Sequence, residues 1–549
     1  MRLSFYGGVH EIGGNKILCE YNNTRLMLDF GTSMGYTSTF FSDFLQPRTN
    51  TFLHDQLTIG AVPRIDGIYR DDLFSPIGSE QLTQKPYIRT LTSDSSYLQS
   101  TDAISYETYK KTHKTPFLHG ILLTHAHLDH TGAIRFLHPE IPLYCTAVTK
   151  TLVSAIDDVT SFTSEALQTK TKHLSKTQKR SMFPEAPLIQ GVMVQRPCIT
   201  LSDTELATVK SITFHLLEQD HSVPGSASFL VYTPETSLLY TGDIRFHGSK
   251  PITISSYVKK IHTIHQNLDV MICEGTRIDS QKIVTEKHVE EQIAKDIKKT
   301  DGLVFVDFSW KDTTRFETIA QAAKKADRTF VINARLAYLL HSLAVPFDEQ
   351  TVKVFLKRKG SCLYSPADYA NSKYELGYSI DFKQNMDTTH YQNGLVAADI
   401  RKDPSAYVVM LSYYDLNQLF DLADSNGKIQ GSRFIKAQCA PFSDEMELDE
   451  ERFINWLDSF GIAYTLDDTP LPYSCQNSSC EKLKPRLQRA HVSGHAARPE
   501  LTKLIKQLAP RTLLPVHTQH PELFVDIVEE TSEDIQILLP EKGTGYTFL

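Results

Sequence analysis

Short apolar runs bounded by turn residues predict a β-rich first half of the chain. Residues 3–6, 16–21 and 25–30 predict three strands, with a glycine-rich turn after the first. The apolar run 121–123 predicts the end of a further, buried strand. Similar runs recur as far as residue 273, so we predict a sheet-based core for this part of the chain.

Beyond residue 278, helical and strand-like patterns alternate. Val289 and Ile293 repeat at helical spacing, and apolar runs of strand length lie between the helical stretches. This alternation predicts a parallel α/β domain with right-handed crossovers. We therefore predict three segments. Residues 1–277 and 441–549 are the two parts of one domain, and residues 278–440 form a domain inserted between them.

Residues 32–116 interrupt the first segment and are rich in Thr, Ser, Tyr and Asp. We expect this stretch to be a long, irregular insert. Connections of this length tend to act as lids or docking surfaces. The sequence alone assigns no role to it.

The composition fits a soluble globular protein with a sizeable core. The 549 residues are 41% hydrophobic and 10% aromatic, and the chain has no apolar run long enough to predict a membrane span. The eight cysteines stand mostly alone within apolar stretches, which is typical of a reducing compartment. The first residues predict a strand and a turn rather than a signal peptide, so we expect the protein in the cytoplasm.

The densest group of chemically capable side chains follows the apolar run 121–123. His125, His127, Asp129 and His130 lie within six positions, and apolar residues at helical spacing come after them. The group therefore sits on a predicted strand-to-helix loop, where the first two histidines can face one ion and the other two residues a second. Imidazole and carboxylate ligands without cysteine suit zinc first, with manganese or iron as alternatives.

Further polar side chains stand where other predicted strands end. Asp29 ends the third strand, where an acid can hydrogen-bond a metal-bound histidine from behind. His221 and Asp243 follow two later strands, at the edge of a β-sandwich where metal ligands from different strands can meet. The same placement is predicted for Glu274, for His495 in the stretch Ser-Gly-His-Ala and for His517.

The order and spacing of these residues resemble those of the metallo-β-lactamase superfamily, and the inserted α/β domain resembles that of the β-CASP nucleases. The opening glycine-rich turn and the stretch 491–496 look most like ribonuclease J. The resemblance implies an αββα metallo-β-lactamase sandwich interrupted by a parallel α/β β-CASP domain. We also expect the further C-terminal domain of bacterial ribonuclease J to be absent, as in archaeal relatives.

The resemblance implies two divalent metal ions, which we expect to be zinc, with manganese as the alternative. It divides the ligands into two sets that share Asp243: His125, His127 and His221 for one ion, and Asp129, His130 and His517 for the other. Asp29 would hydrogen-bond one of these ligands without binding a metal ion itself. A hydroxide between the ions would attack a phosphodiester, oriented by Asp129, and His495, held by Glu274, would protonate the leaving oxygen.

The chain is acidic overall, with a net charge of −8, but one segment is basic. The only acidic residue in the segment 163–182 is Glu165, and the next one along the chain is Glu185. Such a run is most often a solvated helix face, yet in an acidic protein it is also the leading candidate for contact with an RNA backbone. The candidate RNA-binding residues are Lys170, Lys172, Lys176, Lys179 and Arg180, together with Ser493.

We therefore expect a metal-dependent ribonuclease, acting as an endonuclease, a 5′-to-3′ exonuclease or both. A small-molecule hydrolase of the same core is one alternative, but such enzymes lack the inserted domain and the set Glu274, His495 and His517. A DNA-processing β-CASP nuclease is a second alternative. A third alternative is a catalytically inactive subunit that only binds RNA, but such proteins have lost metal ligands. Both a monomer and a homodimer remain open.

Overall fold

The computed structural model describes residues 1–41, 45, 47, 53–74, 103–160, 164–180, 183–250, 252–358, 394–441, 444–467, 486–531 and 534–548. Within these ranges the strands are, in chain order, β1 (Arg2–Gly7), β2 (Lys16–Tyr21), β3 (Thr24–Leu28), β4 (Gly120–Leu122), β5 (Leu143–Cys145), β6 (Gln168–Arg180), β7 (Phe183–Gln195), β8 (Cys198–Thr200), β9 (Leu206–Val209), β10 (Ile212–Glu218), β11 (Ala227–Tyr232), β12 (Ser237–Tyr240), β13 (Val270–Glu274), β14 (Val304–Asp307), β15 (Thr329–Asn333), β16 (Val352–Phe355), β17 (Gly394–Leu395), β18 (Tyr407–Met410), β19 (Arg433–Lys436), β20 (Thr512–Val516), β21 (Gln536–Ile537) and β22 (Gly545–Thr547).

The helices of the same ranges lie between these strands. They are α1 (Met34–Ser38), α2 (Leu53–Thr58), α3 (Tyr106–His113), α4 (Leu128–Thr131), α5 (Ala147–Val159), α6 (Ile254–Ile264), α7 (Glu286–Lys298), α8 (Thr313–Lys325), α9 (Ala334–Ser342), α10 (Ala397–Lys402), α11 (Leu419–Leu422), α12 (Asp444–Phe460), α13 (Arg498–Leu508) and α14 (Leu523–Thr531). None of them is both long and apolar enough to cross a membrane.

Two seven-stranded sheets face each other across an apolar core. Their strand orders are β22-β1-β2-β3-β4-β5-β8 and β21-β20-β13-β12-β11-β10-β9. The strand β4 is apolar at every position because both of its faces are buried. Leu122 points into the core between the sheets, whereas Ile121 packs on the other side against Leu152 and Ile156 of α5.

A second helical layer covers the outer face of the other sheet. Tyr257 of α6, Leu504 of α13 and Phe524 of α14 pack there in one apolar cluster. Pro499 stands in the first turn of α13, where its missing N–H costs no hydrogen bond. Helices, two sheets and helices again form the αββα sandwich that the resemblance implied, and this prediction is confirmed.

The inserted domain is built on a separate six-stranded sheet of order β17-β16-β15-β18-β14-β19. Every neighbouring pair in it is parallel, as the alternating pattern predicted. Ile293 of α7 and Phe316 of α8 pack on one face of this sheet. The other face packs against α12 through Phe453 and Leu457.

The position of α12 bears on the predicted boundary at residue 440. This helix lies beyond that boundary, yet it packs on the inserted sheet. Ala490 and Val492 also belong to the core of the inserted domain. We therefore propose that the inserted domain ends near residue 492.

The insert 32–116 is less irregular than expected. Its described parts include α1, α2 and α3, and Leu57, Tyr69 and Tyr106 pack into the core outside the first sheet. These side chains belong to the same apolar cluster as α5. Residues 75–102 of this insert lie outside the described ranges.

In its described part, residues 164–180, the basic segment 163–182 does not form a helix face. Most of it is the strand β6, which pairs with β7 in a separate two-stranded arm. The base of this arm is fastened to the sandwich by Arg70, which donates a hydrogen bond to Lys170 O at 2.8 Å. Asp72, paired with Arg70, accepts the N–H of Lys172 at 2.7 Å. Together these two side chains pair with two backbone groups of β6 at the base of the arm.

Candidate metal centre

The predicted metal ligands converge on one edge of the sandwich. The strands β12, β13 and β20 are parallel neighbours, so their carboxyl ends meet there, and Asp243 and His517 follow two of them. The ligand atoms of two groups each lie within 4.8 Å of one another. The groups are His125, His127, His221 and Asp243, and Asp129, His130, Asp243 and His517.

Asp243 is the carboxylate that both groups share. Its Oδ2 atom lies 3.5 Å from His125 Nε2 and 3.7 Å from His221 Nε2. The same oxygen lies 3.3 Å from His130 Nε2, and the other oxygen, Oδ1, lies 3.5 Å from His517 Nε2. A carboxylate placed in this way can bridge two ions.

Two atoms of the cage have no hydrogen-bond partner in the described part of the chain. They are His130 Nε2 and Asp243 Oδ1, and both side chains are almost fully buried. Burying polar atoms without a partner is costly, so a cation is the expected partner. Imidazole nitrogens and carboxylate oxygens form a donor set that fits zinc or manganese.

Burial keeps most of these histidines neutral. It lowers the pKa of His127 to about 4 and holds the pKa values of His125 and His221 well below the usual range. Burial also opposes protonation of His130, but the carboxylate of Asp243 and its neighbours outweigh it and raise the pKa of His130. Metal ligands bind as neutral imidazoles and ionised carboxylates, so a bound cation would take the place of a proton on His130.

Asp29 supports the cage from behind. Its Oδ2 atom lies 2.7 Å from His130 Nδ1 and accepts hydrogen bonds from the hydroxyl groups of Tyr240 and Thr124. The φ angle of Asp29 is 53°, in the left-handed region, and this turn follows the end of β3. A contact of this kind fixes the tautomer and the ring orientation of a ligating histidine.

Sequence reasoning missed two further partners of the candidate ligands. The carbonyl oxygen of Gly494 lies 2.6 Å from His221 Nδ1. The hydroxyl of Thr276 lies 2.8 Å from His517 Nδ1. Thr276 follows a strand end and could have been suspected, whereas a backbone carbonyl leaves no signal in a sequence.

Glu274 and His495 form a pair beside the cage. His495 Nδ1 lies 3.0 Å from Glu274 Oε2 and 4.0 Å from Asp243 Oδ2. The His495 side chain is 20% exposed, whereas that of Glu274 is 1% exposed. Burial opposes protonation of His495, but Glu274 and Asp243 outweigh it and raise the pKa of His495 to about 9. The pair therefore offers a protonated imidazole on the open side of the cage.

Two other groups of metal-capable side chains fit a cation less well. Glu274, His495, Asp243 and His517 overlap the cage, but Glu274 already accepts the N–H of Ile244 and pairs with the imidazole. A separate group holds Glu107, His138 and Glu140. In it Glu140 is already paired with Lys110 and with the hydroxyl of Tyr106.

The candidate RNA-binding residues occupy two places. Lys170 and Lys172 lie at the base of the arm, where the Lys170 side chain crosses Gly191: a Cβ at Gly191 would lie 2.1 Å from Lys170 Cε. Ser493 lies beside the cage, and its hydroxyl accepts the N–H of His495 at 3.1 Å. The side chains of Lys176, Lys179 and Arg180 lie outside the described residues.

Two family models match stretches of the chain. The model of the Beta-lactamase superfamily domain matches residues 99–295. The model of the Zn-dependent metallo-hydrolase RNA specificity domain matches residues 481–535, which contain His495 and His517. The two matched stretches thus carry most of the cage.

Curated relatives match over most of the chain at low identity. Ribonuclease J of Pyrococcus abyssi is 21% identical over 426 residues, covering 75% of this chain and 77% of the relative. Ribonuclease J of Sinorhizobium meliloti is 22% identical over 420 residues, covering 74% of this chain and 60% of the relative. The match thus spans less than two thirds of the bacterial protein.

A solved structure supports the fold. The crystal structure of a protein of unknown function from Enterococcus faecalis matches with a TM-score of 0.64 and 19% identity, covering 99% of both chains. At this identity the likeness concerns the fold alone.

Residues 99–295 thus carry a domain of the β-lactamase superfamily, and residues 481–535 carry a metallo-hydrolase RNA specificity domain. The chain is ribonuclease J-like, because several relatives of that name match about three quarters of its length. The resemblance stated from the sequence motifs is therefore confirmed.

Gly31 provides a test of how the ligand loop is held. A Cβ added at Gly31 would lie 1.5 Å from the carbonyl oxygen of Asp129, so Gly31→Ala must displace the backbone of the candidate ligands Asp129 and His130. We expect the variant to lose about 3 kcal/mol of unfolding free energy and to bind zinc more weakly. Thermal unfolding and zinc titration measure the two effects.

Gly35→Ala is the matched control, because an added Cβ there meets nothing within 4 Å. Its zinc affinity should equal that of the wild type, and its melting temperature should not fall, because Gly35 lies in α1 and alanine is the better helix former. The same result for Gly31→Ala would contradict the packing described for this loop.

Proposed function

We propose that this protein is a ribonuclease that hydrolyses phosphodiester bonds with two divalent metal ions, zinc in the first place. One observation carries the proposal: a single buried carboxylate, Asp243, faces two groups of ligands with a carboxylate–imidazole pair beside them. The match to an RNA specificity domain and the relatives named Ribonuclease J support RNA as the substrate.

The proposed cofactors fit the side chains that would hold them. His125, His127 and His221 would hold one ion, the second group the other, and Asp243 both. Bound ions would supply Lewis acidity to the phosphate group and lower the pKa of a water molecule. The remaining tasks fall to the protein's own groups.

Asp129 and His495 are the groups proposed to act on the reactants. Asp129 is 24% exposed. Burial raises the pKa of its carboxyl group, but His130 and His517, the latter 3.2 Å away, outweigh burial and hold that pKa below its usual range. Its ionised carboxylate can therefore accept a hydrogen bond from the attacking water and orient it. His495, protonated and held by Glu274, can donate a proton to the leaving oxygen.

The surroundings of the site and the family matches bear on the proposed substrate class. A small-molecule hydrolase is disfavoured, because the inserted domain and the pair of Glu274 and His495 would have no use in it. RNA is preferred over DNA on the basis of the RNA specificity domain. We propose endonucleolytic cleavage, 5′-to-3′ exonucleolytic cleavage or both.

Removal of the proposed acid tests the mechanism. His495→Ala should keep its metal content but cleave RNA about 10²- to 10⁴-fold more slowly, because the leaving oxygen loses its proton donor. Metal analysis and cleavage of end-labelled RNA, beside DNA of the same sequence, measure both quantities. His113→Ala, exposed on α3, serves as the control and should behave as the wild type. Normal cleavage by His495→Ala would refute the acid role.

The arm formed by β6 and β7 provides a test of RNA contact. Replacing Lys172, Lys176 and Lys179 with Glu should weaken RNA binding, because up to three phosphate contacts are lost. The slope of log affinity against log salt should become shallower by about 2, at about 0.7 for each contact with a single strand. Fluorescence anisotropy over a series of salt concentrations measures both.

A second triple variant controls for net charge. Lys259, Lys298 and Lys299 are exposed on α6 and at the end of α7, and their replacement with Glu changes the charge equally. This variant should bind RNA with the wild-type salt slope. Equal losses in both triple variants would mean that the arm has no specific role.

A further inference from the structure

Residues 490–495 form the stretch that returns the chain from the inserted domain to the metal cage. Backbone carbonyls of this stretch accept hydrogen bonds from side chains of both domains. Arg315 donates to Ala490 O at 2.9 Å, and His221 Nδ1 lies 2.6 Å from Gly494 O. The orientation of one candidate ligand and the position of the candidate acid therefore depend on one piece of backbone.

Arg245 and His247 hold this stretch from the sandwich side. Arg245 Nη1 lies 3.4 Å from Ser493 O, and His247 Nε2 lies 3.1 Å from the same oxygen. The guanidinium of Arg245 is fully buried and is fixed by Asp220, which accepts from its Nε at 3.1 Å. The carbonyl of Ser493 is thus fastened to the sandwich.

Arg315 of α8 holds the stretch from the inserted domain. Its Nη2 atom lies 3.5 Å from Val492 O, and its side chain is as buried as that of Arg245. The carbonyl groups of Val492 and Ser493 are neighbours in the chain. Adjacent peptide groups are therefore held by guanidinium groups from different domains.

Glu286, the first residue of α7, stands between these two guanidinium groups. Its Oε1 atom lies 3.1 Å from Arg315 Nη2 and 3.8 Å from Arg245 Nη1. Its Oε2 atom accepts the hydroxyl hydrogen of Thr318 at 2.9 Å. Two buried guanidinium groups repel each other strongly at low dielectric, and a carboxylate between them removes that repulsion.

We propose that Glu286 is a positioning residue for the hydrolytic site: it holds Arg245 and Arg315 together and thereby fixes residues 490–495 against the metal cage. Its catalytic consequence rests on the proposed function, whereas its structural consequence concerns the metal-free protein as well. Within the part of the chain that the structure describes, Glu286 contacts the two arginines and not His495, so it acts through the arginines. The inserted domain therefore orients the site.

A Glu286→Gln variant keeps the shape of this side chain but removes its charge. The two guanidinium groups then move apart, and the carbonyls of Val492 and Ser493 lose part of their hydrogen bonding. The stretch becomes more mobile, and His221 and His495 are oriented less well. Loss of a group that hydrogen-bonds a metal ligand directly costs about ten- to a hundredfold in activity or metal affinity. Glu286 acts one contact further out, so we expect an effect at the lower end of this range.

Hydrogen–deuterium exchange and steady-state kinetics on the full chain test this proposal. In Glu286→Gln we expect faster exchange in peptides covering 490–496 of the metal-free protein. With metal, kcat should fall about tenfold or more while KM for RNA stays within about twofold. Glu290→Gln is the matched control, because Glu290 lies on the same helix and pairs with Lys325 at the surface. Neither quantity should change in it.

A milder variant keeps the proposal testable if Glu286→Gln does not fold. Thr318→Val removes the hydrogen bond to Glu286 Oε2 and should change exchange and kcat in the same direction, by less. Wild-type exchange in 490–496 with wild-type kcat overturns the proposal. Faster exchange throughout the chain with unchanged kcat also overturns it, because it indicates a purely structural role. A wild type that cleaves no RNA refutes the proposed function instead, and the exchange measurement still decides the role of Glu286.

Discussion

Asp243 places a carboxylate, 1% exposed, among the imidazoles of four histidines, and the rest of the site depends on that contact. A buried charge is tolerated only when it is paired, so loops from both sheets must come together around it. Oδ2 faces His125, His130 and His221, and Oδ1 faces His517. The sandwich fold meets this requirement, because its parallel strands β12, β13 and β20 end at one edge.

The inserted domain is tied to this carboxylate through few residues. The stretch 490–495 runs from the core of the inserted sheet to the cage, and its carbonyls are held from both sides by Arg245 and Arg315. Glu286 lies between these arginines. The inserted domain therefore contributes to the geometry of the site. This arrangement gives a physical reason for placing a whole domain inside the sandwich sequence.

Much of the fold and the cage could be predicted, because both depend on local order in the sequence. Apolar runs predict strands, and an acid or histidine at a strand end must lie at a sheet edge, as Asp29 and Asp243 do. Contacts between distant segments could not be predicted in this way. Helical periodicity does not tell which sheet α12 covers, and a basic run with few apolar residues did not reveal that β6 is a strand. The carbonyl of Gly494 on His221 leaves no pattern at all.

The central claim is that one cage holds two cations around Asp243, and anomalous X-ray scattering at the zinc absorption edge tests it most directly. Crystals of the zinc-loaded protein should contain two anomalous peaks about 3.5–4 Å apart. One should lie among His125, His127 and His221, and the other beside His517, with Asp243 contacting both. A single peak in the cage, or zinc bound only elsewhere on the protein, would contradict the account.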